Sequence, residues 1–241
     1  GSLLIQKTVR DKQLKLESVT EQKSFTKNGI KYKKNSVDSL KNTNVIIDFT
    51  RPNCTLEILK LATKLKKKLI IGTTGFNNKQ QEDINKASKK IAILQSGNMS
   101  LGINLMQYLS RILSEKILNE FQIEIHDAHH KKKIDYPSGT ALMLGQAVAK
   151  GKKESLEKLK GNIFLNKKGN GKKDKINFFI KREGTIPGTH SVIFQTAKET
   201  IELKHIAKSR DLFADGALSA AKWLANKKPG LYNMHDVLKI S

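Results

Sequence analysis

Short apolar runs alternate with helical segments in the first hundred residues, and this alternation constrains the fold more than any other feature. Short strands with apolar centres are predicted over residues 44–50, 68–73 and 91–94. An amphipathic helix is predicted between them over 55–67, and a polar helix over 78–90. Strands that are apolar on both faces must be covered on both faces. The pattern therefore predicts a parallel sheet between two layers of helices.

A region of different character follows residue 100. A long helix rich in Leu, Ile and Met comes first, and extended segments follow it. The last two extended segments are joined by Lys198-Glu199, which indicates a hairpin. We therefore expect a second, α+β domain with a mixed or antiparallel sheet. The remaining predicted elements are helices over 2–9, 101–118, 141–149 and 211–226, strands over 14–20, 122–127, 175–181, 190–197 and 200–207, and a mobile excursion over 150–175.

The charge of the chain is strongly positive, with 45 Lys and Arg against 22 Asp and Glu, a net of +23. Such an excess is typical of a nucleic-acid-binding protein or of an enzyme with an anionic substrate, and it also occurs where all proteins of an organism are rich in lysine. The lysines form only short, separated runs, and aromatic residues are 6% of the chain, which argues against nucleic acid. Cys54 is the only cysteine, so no disulfide can form within the chain. No signal peptide or membrane span is recognisable, and we expect a cytoplasmic protein.

One motif carries most of the chemistry, and it reads D-A-H-H-K-K-K-I-D-Y-P-S-G-T-A over residues 127–141. A strand ends in His129 and His130, and a proline-led turn then opens a helix that Ser138 or Thr140 can cap. Histidine can transfer a proton near neutral pH, and the free N–H groups of a helix start attract anions. The loop thus combines a proton donor, a lysine and an anion site.

Two other interpretations of this loop stay open on the residues alone. The histidines can be chance members of a surface loop. A metal site of His126, His129 and His130 is the second alternative. Adjacent strand residues point to opposite faces, however, so a tandem pair rarely binds one ion unless the loop bends.

The motif resembles the signature E-A-H-H-x-x-K-x-D-A-P-S-G-T-A of dihydrodipicolinate reductases, and departs from it at Asp127 and Tyr136. The resemblance implies reduction of 4-hydroxy-tetrahydrodipicolinate by hydride transfer from NADPH or NADH, in diaminopimelate and lysine biosynthesis. It further implies the following roles: His129 as proton donor, Lys133 as second catalytic residue, and His130, Gly139 and Thr140 as substrate-binding residues.

Two further motifs follow strands of the predicted parallel sheet: D-F-T-R-P from Asp48 and G-T-T-G from Gly72. Ligands of open parallel sheets bind beyond the carboxyl ends of the strands, and glycine lets the backbone approach them closely. Alone, G-T-T-G is equally typical of a plain turn. Together the two motifs resemble the same family, and the resemblance assigns cofactor contacts to Gly72, Thr73 and Thr74, and to the hinge residues Ser96, Gly97, Asn98 and Met99.

Glu21 follows the strand predicted over 14–20, where dinucleotide-binding folds place an acid that binds the adenine ribose. The family often has arginine next, which would bind the 2′-phosphate of NADPH. Here Gln22 and Lys23 follow instead. Gln22 argues against a strict preference for NADPH, whereas Lys23 can still bind a phosphate. An ordinary solvated Glu-Gln-Lys turn is the alternative.

The resemblance covers essentially the whole chain, because G-T-I-P-G-T-H from Gly184 and the ending from Pro229 also match. It implies a Rossmann-like dinucleotide-binding domain over residues 1–99 and 210–241, a substrate-binding and oligomerisation domain over 100–209, and a homotetramer. The family's G-x-x-G-x-M-G phosphate loop has no counterpart. We therefore expect an N-terminally truncated chain that binds cofactor poorly. Rival classes are other two-domain dehydrogenases and a basic nucleic-acid-binding protein.

Overall fold

The computed structural model describes residues 1–21 and 23–240, and the chain packs as two compact units. Unit 1 contains Gly1–Ser100 and Asp211–Lys239, and unit 2 contains Leu101–Arg210. Gln22, which entered the interpretation of cofactor preference, lies outside the described residues. Within those residues, none of the helices has both the length and the apolar character that crossing a membrane requires.

The secondary structure alternates strands and helices in unit 1 and is richer in strands in unit 2. The helices are α1 (Ser2–Arg10), α2 (Val37–Leu40), α3 (Pro52–Lys64), α4 (Asn78–Ser88), α5 (Leu101–Lys116), α6 (Gly139–Gly151), α7 (Leu156–Leu159), α8 (Asp211–Leu224) and α9 (Met234–Leu238). The strands are β1 (Val19–Glu21), β2 (Phe25–Lys27), β3 (Ile30–Lys34), β4 (Val45–Asp48), β5 (Lys68–Ile71), β6 (Ala92–Gln95), β7 (Gln122–His129), β8 (Lys160–Leu165), β9 (Ile176–Arg182), β10 (Thr189–Gln195), β11 (Thr200–Ile206) and β12 (Gly230–Tyr232).

Unit 1 is built around a parallel sheet of order β12-β6-β5-β4. Alternate residues of the central strand β5 belong to two separate cores. Leu69 and Ile71 pack in the core that contains residues of α3 and α4, whereas Ile70 packs in the core that contains residues of α8. The prediction of a parallel sheet covered on both faces is confirmed, and the apolar runs are explained because both faces of each strand are buried.

The segment before this sheet differs from the prediction. Only Val19–Glu21 is a strand, where a strand over 14–20 was expected, and its pairing partner is β3 in a small sheet of order β1-β3-β2. The β2–β3 hairpin turns at Asn28-Gly29, both with positive φ. Asn-Gly is a strong hairpin signal that the sequence interpretation did not use. It also missed β12 and α9.

Unit 2 contains a mixed five-stranded sheet of order β11-β10-β7-β9-β8. The central strand β7 pairs antiparallel with β10 and parallel with β9. One face of the sheet, with Ile125, Phe178 and Val192, forms the core together with buried residues of α5 and α6. The expected hairpin is confirmed, since β10 and β11 pair from Thr189↔Ile206 to Gln195↔Thr200.

Two predictions of local structure were wrong in detail. Residues 150–175 were expected to form a mobile excursion, but they include α7 and the edge strand β8. An edge strand is exposed along one side, so its lysine-rich flanks resemble a loop. Helix α3 begins at Pro52, three residues before the predicted start at residue 55. Proline suits the first turn of a helix because the N–H group it lacks would have no partner there.

Candidate active site

The strand β7 carries two ionisable residues at the end of its buried face. Its residues alternate between half-exposed and buried, so Asp127 and His129 point to the same side as the core residues Ile123 and Ile125. His126 lies on the other face, where its ring is 5.0 Å from that of Phe179. The apolar face of the strand therefore ends in a carboxylate and an imidazole that are both shielded from water.

The Asp127 carboxylate is fully buried and contacts groups from four segments. Its Oδ2 accepts hydrogen bonds from the Ser138 amide at 2.8 Å and from Arg182 Nη2 at 3.0 Å. Its Oδ1 lies 2.7 Å from His129 Nδ1 and 3.5 Å from His190 Nε2. The carboxylate thus joins the end of β7 to β9, to β10 and to the start of α6.

The protonation of this cluster follows from burial and from these contacts. Burial by itself raises the pKa of the Asp127 carboxyl, but the contacts with His129, the Ser138 amide, His190 and Arg182 outweigh it and hold that pKa well below 3.8. Burial lowers the pKa of His190 to about 4, although Asp127 opposes the change. Asp127 is therefore ionised and His190 neutral near pH 7.

Helix α6 begins beside this carboxylate. Ser138 is its N-cap residue and accepts a hydrogen bond from the Ala141 amide at 3.2 Å, and its hydroxyl lies 3.3 Å from His190 Nε2. The Tyr136–Pro137 peptide bond that leads into the helix is cis. Gly139 and Thr140, at the first two helical positions, are at least partly accessible, so the positive end of a 13-residue helix is open to an anion.

Lys133 and His130 belong to the turn between β7 and α6. The Lys133 ammonium binds both carboxylate oxygens of Asp135, at 2.7 and 2.8 Å. The Lys133 amide donates to the His130 carbonyl at 3.1 Å. His130 Nε2 lies 3.4 Å from Arg210 Nη2. The structure therefore brings together His129, His130, Lys133 and the α6 start within one unit.

Three members of this cluster escaped the sequence interpretation. His190 and Arg182 lie opposite Asp127 and His129, respectively, in the sheet. Asp127 itself was seen only as a departure from the signature. The G-T-H triplet that ends at His190 was a usable signal, whereas the pairing of Arg182 with His129 requires the sheet register.

The alternative metal set of His126, His129 and His130 does not assemble, because His126 lies on the opposite face of β7. Among the described residues, a different group of three, Asp127, His129 and His190, brings possible ligand atoms within 4.8 Å of one another. One oxygen of that carboxylate already faces the guanidinium of Arg182, a cation that disfavours a metal ion at the same place.

In unit 1, the predicted cofactor residues at Gly72, Thr73 and Thr74 follow the end of β5. The buried Asp48 carboxylate at the end of β4 accepts from the Thr50 amide at 3.1 Å and from the hydroxyl of Thr55. Thr73 Oγ1 accepts from the same Thr50 amide at 3.1 Å. A Cβ at Gly72 would lie 2.2 Å from the Phe49 ring, so this half-exposed ring lies directly against the glycine backbone.

The stretch from Ser96 to Met99 follows the end of β6. Its first amide donates to the Ile71 carbonyl at 3.0 Å, and the Ser96 hydroxyl donates to the Asn98 carbonyl at 2.7 Å. These bonds place Ser96, and Gly97 after it, at the same sheet edge as Gly72. Glu21 was expected to follow a strand of the parallel sheet. It lies instead at the end of β1, in the separate small sheet.

Unit 1 places glycine and threonine residues at the carboxyl ends of parallel strands, where Rossmann-like folds bind dinucleotides. Unit 2 adds a mixed sheet with a histidine–lysine loop. Together they define a two-domain oxidoreductase of the Rossmann-like type. Family models described as "Dihydrodipicolinate reductase, N-terminus" and "Dihydrodipicolinate reductase, C-terminus" match residues 1–99 and 102–238. The chain belongs to the dihydrodipicolinate reductase family, as its motifs predicted.

Curated relatives agree with this assignment. The 4-hydroxy-tetrahydrodipicolinate reductase of Pelagibacter ubique (strain HTCC1062) is 53% identical over 99% of this chain and 93% of its own. The protein of that name from Buchnera aphidicola subsp. Cinara cedri is 40% identical over the same shares. A dipicolinate-bound dihydrodipicolinate reductase from Paenisporosarcina sp. TG-14 has the same fold, with a TM-score of 0.78 at 20% identity over 97% of this chain and 92% of that one.

Proposed function

We propose that this chain catalyses the reduction of 4-hydroxy-tetrahydrodipicolinate to tetrahydrodipicolinate with a reduced nicotinamide dinucleotide, in diaminopimelate and lysine biosynthesis. Membership of the family and the shared name of its relatives support the reaction. The observation that carries the proposal is the cluster at the end of β7, where His129, Lys133 and the start of α6 belong to one connected group. These residues can bind a dicarboxylate and supply a proton.

The substrate carboxylates would bind at two cationic places. The amides of Gly139 and Thr140 at the positive end of α6 suit one carboxylate, and the Lys133 ammonium with His130 suits the other. Lys133 contacts Asp135, whose side chain is half-exposed, so an entering carboxylate can replace that partner at little cost. The 4-hydroxyl leaves as water, which gives a conjugated ring, and the hydride then adds at the carbon that carried the hydroxyl. His129 would protonate the neighbouring carbon as negative charge develops there, and Lys133 would stabilise that charge.

The cofactor would bind in unit 1, at the sheet edge formed by Gly72, Thr73 and Thr74 and by Ser96, Gly97, Asn98 and Met99. A reduced nicotinamide supplies a hydride to the substrate when it is bound. The bare backbone at Gly72 and the half-exposed Phe49 ring beside it fit a flat aromatic group. Glu21 would accept a hydrogen bond from a ribose hydroxyl, and Lys23 would donate to a 2′-phosphate, so we propose that both NADH and NADPH are used.

We propose a homotetramer that assembles through the sheet of unit 2. The face opposite α5 and α6 carries half-exposed apolar side chains, including the stacked rings of Phe164 and Phe179, 4.9 Å apart, and Ile193. Such a surface is typical of a subunit interface. Light scattering measures the mass directly, and a monomer at all concentrations would refute the tetramer. We also propose that the enzyme works in the cytoplasm, which cell fractionation can test.

An activity assay tests the reaction itself. Dihydrodipicolinate synthase supplies the substrate, and the loss of nicotinamide absorbance is followed with NADH and with NADPH. The G-x-x-G-x-M-G phosphate loop of the family does not occur in these 241 residues, so the assay compares this chain with a version that carries a strand and that loop before Gly1. Absence of turnover in both would refute the proposal.

His129→Gln gives the sharpest variant of this assay. Loss of a general acid should lower kcat about 10²–10⁴-fold. The matched control is His235→Gln, a half-buried histidine of α9 in unit 1, which should change kcat less than about twofold. Equal losses in the two variants would contradict the assignment of His129.

A further inference from the structure

We propose that Asp127 is a positioning residue for His129: its carboxylate holds the Nδ1 side of the imidazole, so that Nε2 is the atom that exchanges the proton. The proposal rests on the proposed function for the identity of the reaction, but the geometry it invokes is a property of the free protein. It also gives a role to Asp127, one of the two positions at which this chain departs from the family signature.

The carboxylate is held from one side and offers its other oxygen to the imidazole. Arg182 and the Ser138 amide both donate to Oδ2, and Oδ1 is left facing His129 and His190. Arg182 is itself fixed, because its guanidinium also donates to the backbone carbonyls of residues 127, 135 and 181. The carboxylate therefore cannot turn its oxygens toward other partners without breaking several bonds.

The imidazole contact is close but not fully aligned. His129 Nδ1 and Asp127 Oδ1 are 2.7 Å apart, while the N–H direction departs from the line that joins them. Turning the ring so that its N–H points at Oδ1 would align the bond. In a buried site, a carboxylate at this place favours the tautomer, or the cation, that carries hydrogen on Nδ1.

The Nε2 side of the imidazole faces the backbone of Gly188. A Cβ at this glycine would lie 3.1 Å from Nε2 and 3.6 Å from the His190 ring, closer to Nε2 than ordinary contact allows. The glycine therefore leaves space beside the proposed proton-exchanging atom. An asymmetric environment of this kind, with a carboxylate at one nitrogen and a bare backbone at the other, points to Nε2 as the reactive end.

A metal ion bound by Asp127, His129 and His190 is the competing use of the same atoms. Two ligand atoms on a tetrahedral zinc ion are roughly 3.3 Å apart. The 2.7 Å between Nδ1 and Oδ1 is too short for that geometry, and it is an ordinary distance for a charge-assisted hydrogen bond. The charged or titratable groups that face this cluster are Asp127, His129, Lys133, Arg182, His190 and His205.

Asp127→Asn is the decisive variant because the amide has only one possible orientation. Its oxygen must take the Oδ2 place to accept from Arg182 and the Ser138 amide, which leaves the NH₂ group facing His129. A donor there forces Nδ1 to become the acceptor and moves the hydrogen to Nε2. Nitrogen-15 spectra of the free protein should show an Nδ1–H imidazole at position 129 in the unchanged chain and an Nε2–H imidazole in Asp127→Asn.

The kinetic result should follow the tautomer. Asp127→Asn should lower kcat by about 10²–10⁴-fold and change KM by less than about threefold. The imidazolium that gives up a proton from Nε2 needs hydrogen on Nδ1 as well, and an amide NH₂ group facing Nδ1 opposes that cation, whereas the carboxylate stabilises it. Asp127→Glu, which restores the usual family residue, should recover activity to within about tenfold of the starting enzyme. Asp174→Asn removes an exposed carboxylate elsewhere in unit 2 and serves as the matched control.

The outcomes separate this proposal from the reaction. The predicted tautomers in a protein that does not reduce the substrate would refute the proposed function and leave the positioning intact. An Nε2–H imidazole in the unchanged chain would overturn the positioning role, even if Asp127→Asn failed to fold. So would an active enzyme whose kcat is insensitive to Asp127→Asn. Stoichiometric Zn²⁺ binding that His190→Gln abolishes would overturn it in favour of the metal site.

Discussion

The buried imidazole of His190 should make the stability of unit 2 depend on pH. Its pKa falls from 6.5 to about 4 because burial disfavours the charged form. Between these values the unfolded chain binds a proton that the folded chain does not, so folding loses stability as the pH falls from about 6.5 to about 4 and does not change further below that. At about 1.4 kcal/mol per pH unit, the gap corresponds to about 3 kcal/mol. His190→Gln, which cannot titrate, should abolish this part of the dependence.

Urea denaturation at about pH 7.5 and about pH 4.5 measures the effect as the difference between the unchanged chain and His190→Gln. Burial also lowers the pKa of His205, which is present in both proteins and interacts electrostatically with His190, so the difference measures His190 together with that interaction. Asp127 does not interfere, since its pKa lies well below 3.8 and it stays ionised in this window. Identical pH profiles for the two proteins would refute the reasoning, and so would a stability that increases on acidification.

Two further predictions concern packing and capping. Gly216→Ala would place a Cβ 1.7 Å from the Met99 carbonyl oxygen, so α8 must shift. The free energy of unfolding of unit 1 should fall by about 1–3 kcal/mol, although alanine has the better helix propensity. An unchanged thermal midpoint would contradict this. Ser138→Ala removes the cap bond to the Ala141 amide and should cost about 1 kcal/mol in urea denaturation. Ser155→Ala removes a similar bond from the four-residue helix α7, and a larger loss there would contradict the comparison.

The parallel sheet of unit 1 could be predicted because its strands have a distinct apolar pattern in the sequence. Strands buried on both faces are apolar at nearly every position, and β4, β5 and β6 all lie within or beside the predicted runs. Exposed elements gave no such signal. The edge strand β8 lies in a segment rich in lysine and glycine, and β1 has only three residues. Their strand character depends on partners that are distant in sequence.

The candidate site could be predicted only where its residues are neighbours in the chain. The histidines, Lys133 and the capped start of α6 lie within one motif, and strand, turn and helix follow in that order. Arg182 and His190 come from β9 and β10, and they meet Asp127 only through the register of the sheet. The register cannot be predicted from a single sequence, because several pairings of the strands, shifted by two residues each, would bury the same alternating residues.

Because unit 1 includes Asp211–Lys239, it depends on residues that the ribosome adds only after Leu101–Arg210. Helix α8 packs against Ile70 and Leu94, so one face of the parallel sheet stays open while the 110 residues of Leu101–Arg210 are made. At typical rates this interval is roughly 5–20 s, during which unit 2 can complete its own core. The nascent chain therefore presents an apolar sheet face to chaperones, and the inserted unit should fold before the unit that contains the first residues.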